Sequence, residues 1–234
     1  AEVCISINWI TKLRTDFIKL FKHGILNCHS GDLPRYKGNA CVNWGIINHD
    51  DIACICIHEM SEELDSGPIY LKKYFTLNEN IYIGDFYNWL EDVVPEMFCK
   101  TLELISSGVN PKIQSKDIKT LRCYPRQPKD SRINWKEKAK DIYALIRASS
   151  LPFSGAYCFT EDNEKIKIFR ARIIKTDFDF FAIPGQICEI YNDMPLIACK
   201  DDQYMIALEK YYIGKLSYEQ SKHQICSTLR GRLL

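Results

Sequence analysis

The chain has 234 residues, of which 46% are hydrophobic and 26% are charged, a composition typical of a globular protein rather than a disordered one. With 31 basic and 30 acidic residues the formal charge is +1, so no overall field favours nucleic acid or a membrane surface. No apolar run approaches the roughly 20 residues of a membrane-spanning helix, and no basic-then-apolar signal segment is present. We therefore expect a cytoplasmic protein without a membrane partner.

The cysteines do not form a metal or disulfide pattern. There are 11, an odd number, and the only close pair is Cys54 and Cys56, so no CxxC set for zinc exists. Most lie in apolar segments, where a reduced cysteine packs as a small hydrophobic residue. We expect free thiols and no metal site.

The first residues, AEVCISI, have the pattern of a buried strand and contain no initiator Met. A sheet that began here would expose an apolar edge, which is unfavourable in a soluble protein. We therefore expect further residues before Ala1 in the natural protein.

Strands and helices alternate over the first half of the chain. The hydrophobic patterns predict strands at 2–7, 24–28, 52–58 and 69–75, and helices at 15–22, 39–47 and 84–107. The last helix ends at Ser106-Ser107-Gly108, a clear stop signal. This alternation predicts an α/β domain with a largely parallel, Rossmann-like sheet.

The sequence pattern changes from about residue 109, where a basic linker that contains several prolines begins. A helix is predicted at 136–149, followed by short strands at 156–160, 165–174, 185–190, 195–199 and 204–208. Short strands separated by turn residues are typical of a small antiparallel, OB-like barrel module. We place the two domains at 1–115 and 116–234, the second including the linker and its leading helix.

Two polar side chains lie where the strand at 24–28 ends. Asn27 and His29 would project into the crevice at the carboxyl end of the sheet, where α/β proteins bind ligands. The alternative is that they only satisfy backbone groups of the loop. Cys28, between them, alternates to the other face and is expected in the core.

A second candidate follows the strand at 52–58, in an acidic loop. Glu59, Glu62 and Glu63 are typical of a solvated turn. Asp65 differs, because an Asp-Ser-Gly-Pro turn holds its carboxylate in a fixed direction. If the two strands are neighbours, we expect Asn27, His29 and Asp65 to converge.

An amide, an imidazole and a carboxylate around one point suit nucleophilic attack on a carbonyl. The carboxylate accepts a proton from the nucleophile, and the amide and imidazole donors stabilise the oxyanion. No convincing serine or cysteine nucleophile accompanies them, which favours direct transfer without a covalent enzyme intermediate.

Two motifs resemble the N10-formyltetrahydrofolate-dependent formyltransferase family. The first is Asn27-x-His29 with Ser30-x-x-Leu33-Pro34-x-Tyr36-x-Gly38 and Asn43-Trp44. The second is His58-x-Met60 with Leu64-Asp65-Ser66-Gly67-Pro68-Ile69, at the family's spacing.

The second half of the chain extends the likeness. Its matching segments resemble the OB-like C-terminal module that methionyl-tRNA formyltransferase shares with the formyltransferase half of the bifunctional polymyxin-resistance enzyme. They are Pro125-Arg126, Ile133-Asn134-Trp135, Ile146-Arg147-Ala148, Pro152–Ala156 and Pro184-Gly185-Gln186. The resemblance covers essentially the whole chain.

The resemblance implies a one-carbon transferase with N10-formyltetrahydrofolate as co-substrate and no metal. Asn27 and His29 would stabilise the oxyanion, and Asp65 would manage protons and tune His29. The pterin would lie between the loop of Ile7, Asn8 and Trp9 and the loop that carries Met60 and Leu64.

The acceptor is the least determined part. The resemblance implies that the loop of Ser30, Gly31, Asp32 and Leu33, together with Asn39, lies against the acceptor. This loop departs from the Ser-Leu-Leu-Pro loop of the tRNA enzymes, and the helix that begins near Asn39 resembles enzymes of nucleotide-linked amino sugars. These features, with the near-neutral charge, favour a sugar N-formyltransferase for a formamido sugar of a lipopolysaccharide-type surface glycan.

Two other interpretations stay open. One is methionyl-tRNA formyltransferase, the only one with a nucleic-acid partner; the other is a catalytically silent binding module. The sequence also leaves open a homodimer.

Overall fold

The computed structural model of the chain describes residues 1–7, 9, 13–201, 203–227 and 231–234. The chain forms two compact units. The first contains Ala1–Gly45, Asp50–Ile81 and Asp85–Arg126, and the second contains Ile46–His49, Tyr82–Gly84 and Gln127–Leu234. The predicted domain boundary near residue 115 stays a prediction.

The elements follow the predicted order along the chain. The strands are β1 Cys4–Ser6, β2 Ile25–His29, β3 Tyr36–Gly38, β4 Ile52–Glu59, β5 Ile69–Thr76, β6 Leu121–Cys123, β7 Ala156–Phe159, β8 Lys165–Lys175, β9 Ile187–Tyr191, β10 Met194–Ala198 and β11 Tyr204–Ile213. The helices are α1 Thr15–Ile18, α2 Cys41–Ile47, α3 Ile83–Ser106, α4 Ala139–Ser149 and α5 Tyr218–Cys226, with a short 3-10 helix at Pro128–Ser131. None of these helices is long and apolar enough to cross a membrane.

The sheet of the first unit is mixed, so the expectation of a largely parallel sheet was wrong. Its order is β1-β2-β4-β5; β1 and β2 are parallel, whereas β4 is antiparallel to both β2 and β5. In this sheet, as far as the chain is described, β1 and β2 are the one parallel pair, and helix α1 lies in the connection between them. The chain from β4 to β5 simply reverses, with the Glu59 amide donating to the Pro68 carbonyl at 2.9 Å.

Some elements differ from the prediction, in most cases because they are short. β3 and β6 form a parallel two-stranded sheet of three residues each, too brief to show a period. α1 has four residues and is shorter than the predicted 15–22. α5 was not predicted, although Ser217 and Gln220 form a capping box, a motif that can be recognised in the sequence.

The second unit is an antiparallel sheet of five strands in the order β7-β8-β11-β10-β9. α4 covers it, placing Ile142 and Ile146 in a core with the fully buried Ile166 and Tyr211. Among the described residues β7 and β9 do not pair directly. The C-terminal residues bridge these edges instead, since Leu234 and Phe159 exchange backbone hydrogen bonds and the Ile187 amide donates to Gly231.

These features confirm a mixed α/β chain with a Rossmann-like first part and a β-rich C-terminal module. All 11 cysteines are free.

Candidate active site

Strand β2 places two predicted residues on one face. It pairs with β1 on one side and β4 on the other, which fixes the direction of its side chains. Asn27 lies directly opposite His58 of β4, and His29 opposite Cys56. Residues directly opposite each other on paired strands have side chains on the same face, so β4 contributes His58 beside Asn27.

Asp65 is held in place by its backbone and by two other segments. Its φ of +49° lies in the left-handed region, which Asp and Asn tolerate better than other side chains with a Cβ. The Gln114 amide donates to the Asp65 carbonyl at 2.9 Å and to the Gly67 carbonyl at 2.7 Å. The Gly38 N–H donates to Asp65 Oδ2 at 2.8 Å, so the carboxylate has a fixed direction.

Asp65 and His29 meet as predicted, although the reason given for it was wrong. Asp65 Oδ2 lies 3.6 Å from His29 Nδ1, and both side chains are largely buried, with 11% and 7% exposed. Because β2 and β4 are antiparallel, their ends do not share one edge of the sheet. The contact forms because the loop after β4 folds back beside β2, with the Met60 amide donating to the Ile25 carbonyl at 2.7 Å.

The other nitrogen of His29 is already engaged. Nε2 lies 2.8 Å from the Tyr36 carbonyl oxygen, which can only accept, so Nε2 carries a proton. Nδ1, facing Asp65, is therefore the atom that can accept a proton, and it can donate only once the ring is protonated. Gly31 makes room for this arrangement, since a Cβ there would lie 2.5 Å from His29 Nε2 and 2.7 Å from the Tyr36 oxygen.

His58 is a site residue to which the sequence reasoning gave no role. Its ring is 2% exposed, its Nε2 lies 3.3 Å from Asn27 Nδ2, and its Nδ1 lies 2.8 Å from the Glu59 carbonyl oxygen. Burial, reinforced by the neighbouring His29, lowers the pKa of His58 to about 4. The only signal in the sequence was the His58-x-Met60 match, which carries no information about a hydrogen bond to Asn27.

A cavity of about 950 Å³ opens over these groups, within the first unit. Of the predicted site residues, its lining includes Asn27, His29, Asp65, Trp9, Met60, Leu64, Ser30 and Asn39. Ile7 is 57% exposed and is not among the described lining residues. Asn8 lies outside the described residues.

Three residues of the predicted acceptor loop are placed elsewhere. Asp32 pairs with Lys72 at 2.6 Å. Leu33 is fully buried in a cluster with Cys54, Cys56 and Ile69. Neither they nor Gly31 line the cavity, and we propose no acceptor contact for them.

Cys28 corrects another expectation. It is only partly buried and lines the same cavity as Asn27 and His29. Burial nevertheless raises the pKa of its thiol to about 12. A thiol that is neutral at physiological pH is a poor nucleophile, which agrees with transfer that uses no covalent enzyme intermediate.

The arrangement can do acid–base and oxyanion chemistry on one bound group. Asn27 offers amide N–H donors, while the His29 and Asp65 pair can accept and pass on a proton. Arg122 is the only Lys or Arg among the described lining residues. No group of three or more His, Cys, Asp or Glu in the described part of the chain is arranged to hold a metal ion. The prediction of a metal-free site stays a prediction.

Comparison with known proteins identifies the family of the chain. A family model described as formyl transferase matches residues 1–102, and one described as formyl transferase, C-terminal domain, matches residues 126–215. An N-formyltransferase structure from Helicobacter canadensis, described in complex with folinic acid and dTDP-3-aminofucose, has a TM-score of 0.66. It covers 88% of this chain and 72% of that chain at 20% identity, which supports the fold alone.

Two curated relatives extend the comparison. Methionyl-tRNA formyltransferase of Thermodesulfovibrio yellowstonii is 30% identical over 82% of this chain and 60% of its own length. Bifunctional polymyxin resistance protein ArnA of Wigglesworthia glossinidia brevipalpis is 29% identical over 100% of this chain. The chain thus spans 60% and 35% of the lengths of these two relatives. It belongs to the formyl transferase family.

Proposed function

We propose that the protein transfers the formyl group of N10-formyltetrahydrofolate to the amine of a nucleotide-linked amino sugar, yielding a formamido sugar for a surface glycan. The observation that carries the proposal is the convergence of Asn27, His29 and Asp65 on one cavity. Each of the three groups has a defined hydrogen-bond partner that fixes its direction. Preorganised groups of this kind account for much of the catalysis in acyl transfer.

In the proposed reaction the free amine attacks the formyl carbon, and a C–N bond forms. The carbonyl electrons move to oxygen, where an N–H of Asn27 stabilises the developing charge. The Asp65 and His29 pair takes the proton that the amine loses. Collapse of the tetrahedral intermediate breaks the bond to N10 of the folate, which receives the proton, so no redox partner is needed.

Trp9, Met60 and Leu64 are the proposed contacts of the folate. They form an apolar part of the cavity rim, and Trp9 and Leu64 are 59% and 50% exposed. Exposed apolar side chains at a pocket supply contact area for a flat ring system. The folate complex described for the Helicobacter canadensis relative supports the same class of donor.

Arg122 supports an acceptor that carries phosphate. It lines the cavity from β6, and its guanidinium lies close to Gly38. A guanidinium suits bidentate binding of phosphate oxygens. The nucleotide sugar described for the Helicobacter canadensis relative is an acceptor of this class, and the formal charge of +1 favours a small acceptor over a tRNA stem.

Formylation of methionyl-tRNA is the second candidate. The observation in its favour is the 30% identity to the enzyme of Thermodesulfovibrio yellowstonii, although this chain spans only 60% of that protein. A silent binding module remains the third interpretation, and the intact catalytic trio argues against it.

A panel of acceptors separates the three. The full chain is incubated with N10-formyltetrahydrofolate and dTDP-, UDP- and GDP-linked amino sugars, or with methionyl-tRNA, and products are followed by mass. Formylation of a sugar nucleotide supports the proposal. Formylation of the tRNA alone rejects it in favour of the second candidate, and binding of folate without any product supports the silent module.

A further inference from the structure

The two ring nitrogens of His58 have different, fixed roles. Nδ1 lies 2.8 Å from the Glu59 carbonyl oxygen, which can only accept, so Nδ1 carries the proton. Nε2 lies 3.3 Å from Asn27 Nδ2, which can only donate. Both contacts are satisfied together by one state, the neutral ring with its proton on Nδ1.

The surroundings of His58 favour this neutral state. The ring is 2% exposed, and the ring of His29 lies edge-on to it with centroids 6.2 Å apart. His29 and Lys37 oppose protonation of His58. Asp65 Oδ1, 3.9 Å from Nε2, and the Glu59 carbonyl favour its protonation. Burial is the largest of these effects, so Nε2 stays an acceptor.

This bond restricts Asn27. A primary amide is planar and has two N–H groups, and one of them is used by the contact with His58. The plane of the amide then determines the direction of the other N–H. Asn27 and His58 both line the cavity in which a substrate would bind.

We propose that His58 is a positioning residue that orients the Asn27 amide by accepting its hydrogen bond, and thereby sets the oxyanion donor of the formyl transfer. The inference rests on the proposed function for its catalytic meaning, but the bond itself can be tested without turnover. The competing interpretation is that His58 only fills the space between β2 and β4.

Two substitutions separate these interpretations. In His58→Gln, Oε1 takes the place of Nε2 and can accept from Asn27. In His58→Asn, the amide takes the place of Nδ1 and can donate to Glu59 but leaves Asn27 without its acceptor. Both replace the ring by a smaller amide, so a role in packing alone predicts similar losses.

The kinetic test is a double-mutant cycle in the full chain. We expect His58→Asn to lower kcat about 20-fold with little change in KM, and His58→Gln to retain at least one third of the rate. In an Asn27→Ala background, His58→Asn should cost less than about twofold further, because the residue it orients is gone. Equal losses in the Gln and Asn variants, or a full 20-fold loss in the Asn27→Ala background, would overturn the proposal.

Nuclear magnetic resonance tests the bond even if no acceptor is ever formylated, an outcome that rejects the proposed function. Long-range ¹⁵N–¹H spectra at pH 7 should show His58 neutral, with the proton on Nδ1. The side-chain amide signals of Asn27 should shift in His58→Asn and much less in His58→Gln. A ring with its proton on Nε2, or Asn27 signals that do not respond to His58→Asn, contradicts the inference.

Discussion

Asp65 Oδ2 lies 3.6 Å from His29 Nδ1, although the two residues belong to segments that leave the sheet in opposite directions. The separation is longer than a hydrogen bond, so a small shift on substrate binding can form one. Because His29 Nε2 donates to Tyr36, any proton exchanged between the pair passes through Nδ1. The contact is therefore the acid–base pair of the proposed reaction.

Gly31→Ala should impair the His29–Asp65 pair without changing a residue that lines the cavity. Its Cβ would lie 2.5 Å from His29 Nε2 and 2.7 Å from the Tyr36 oxygen, so the imidazole has to move. We expect kcat to fall at least about tenfold, since a misplaced acid–base group loses much of its effect.

Gly45→Ala is the matched control for Gly31→Ala. Gly45 lies in α2 and its added Cβ meets nothing closer than 3.8 Å. It should leave kcat near the original value and stabilise the helix by up to about 1 kcal/mol. Equal kcat values for the two variants, measured by steady-state kinetics, would refute the role assigned to Gly31.

The pKa of His58 makes folding stability depend on pH. Its folded value of about 4 lies below its ordinary value of 6.5, so between these values the unfolded chain binds more protons. The free energy of unfolding therefore has its full value above pH 6.5 and falls as the pH is lowered towards 4. The expected decrease over this range is on the order of 3 kcal/mol.

Urea unfolding at pH 7 and pH 4.5 measures this dependence. In His58→Gln the free energy of unfolding should change less between the two pH values than in the unmodified protein. His223→Gln, at an exposed histidine of α5, serves as control and should keep the original dependence. If His58→Gln showed the same pH dependence as the unmodified protein, the buried neutral His58 would not be the source of that dependence.

Arg122→Gln tests the proposed phosphate contact. Loss of a charge-assisted contact should raise KM for a nucleotide sugar about tenfold or more, with kcat reduced less. Lys119→Gln, at an exposed lysine that does not line the cavity, should leave both constants unchanged. An unchanged KM in Arg122→Gln would remove Arg122 from the acceptor site.

Tyr82→Phe tests the second unit by itself. The Tyr82 hydroxyl donates to the Ala171 carbonyl at 3.0 Å and accepts from the Ala171 N–H at 3.2 Å, and the ring is buried. Removing the hydroxyl leaves two buried backbone groups unsatisfied, so we expect a loss of about 1–3 kcal/mol in the free energy of unfolding. Tyr191→Phe, at a tyrosine that is 45% exposed, should change it by less than about 0.5 kcal/mol in the same denaturant titration.

Much of the fold was predictable because long elements have a strong period. The pattern of α3 was recognised to within about a residue, and β4 and β5 were found from their β-branched and aromatic residues. The direction of β4 was not predicted, because parallel and antiparallel strands have the same side-chain alternation. Whether β4 runs parallel or antiparallel to β2 depends on the path of the segment that connects the two strands.

The site was predictable only in part, for a related reason. Asn27, His29 and Asp65 were recognisable from their motifs, but hydrogen bonds between distant residues leave no periodic trace. His58 and its bond to Asn27 depend on the register between β2 and β4, which one residue of slippage would destroy. The ion pair of Asp32 with Lys72 depends likewise on tertiary placement, and no motif in the sequence indicates it.

The central claim is that Asp65 and His29 carry the formyl transfer. The most direct measurement follows ¹³C from formyl-labelled N10-formyltetrahydrofolate into an amino-sugar nucleotide, using the unmodified protein, Asp65→Asn and His29→Asn. Asp65→Asn is well suited because Asn also tolerates the positive φ of this position. Asp92→Asn, on the exposed face of α3, is the control.

We expect labelled formamide carbon in the product of the unmodified protein and of Asp92→Asn. Asp65→Asn and His29→Asn should each form it at least about a hundredfold more slowly, while their circular dichroism and folate binding remain. Transfer at nearly the original rate in both site variants would contradict the account.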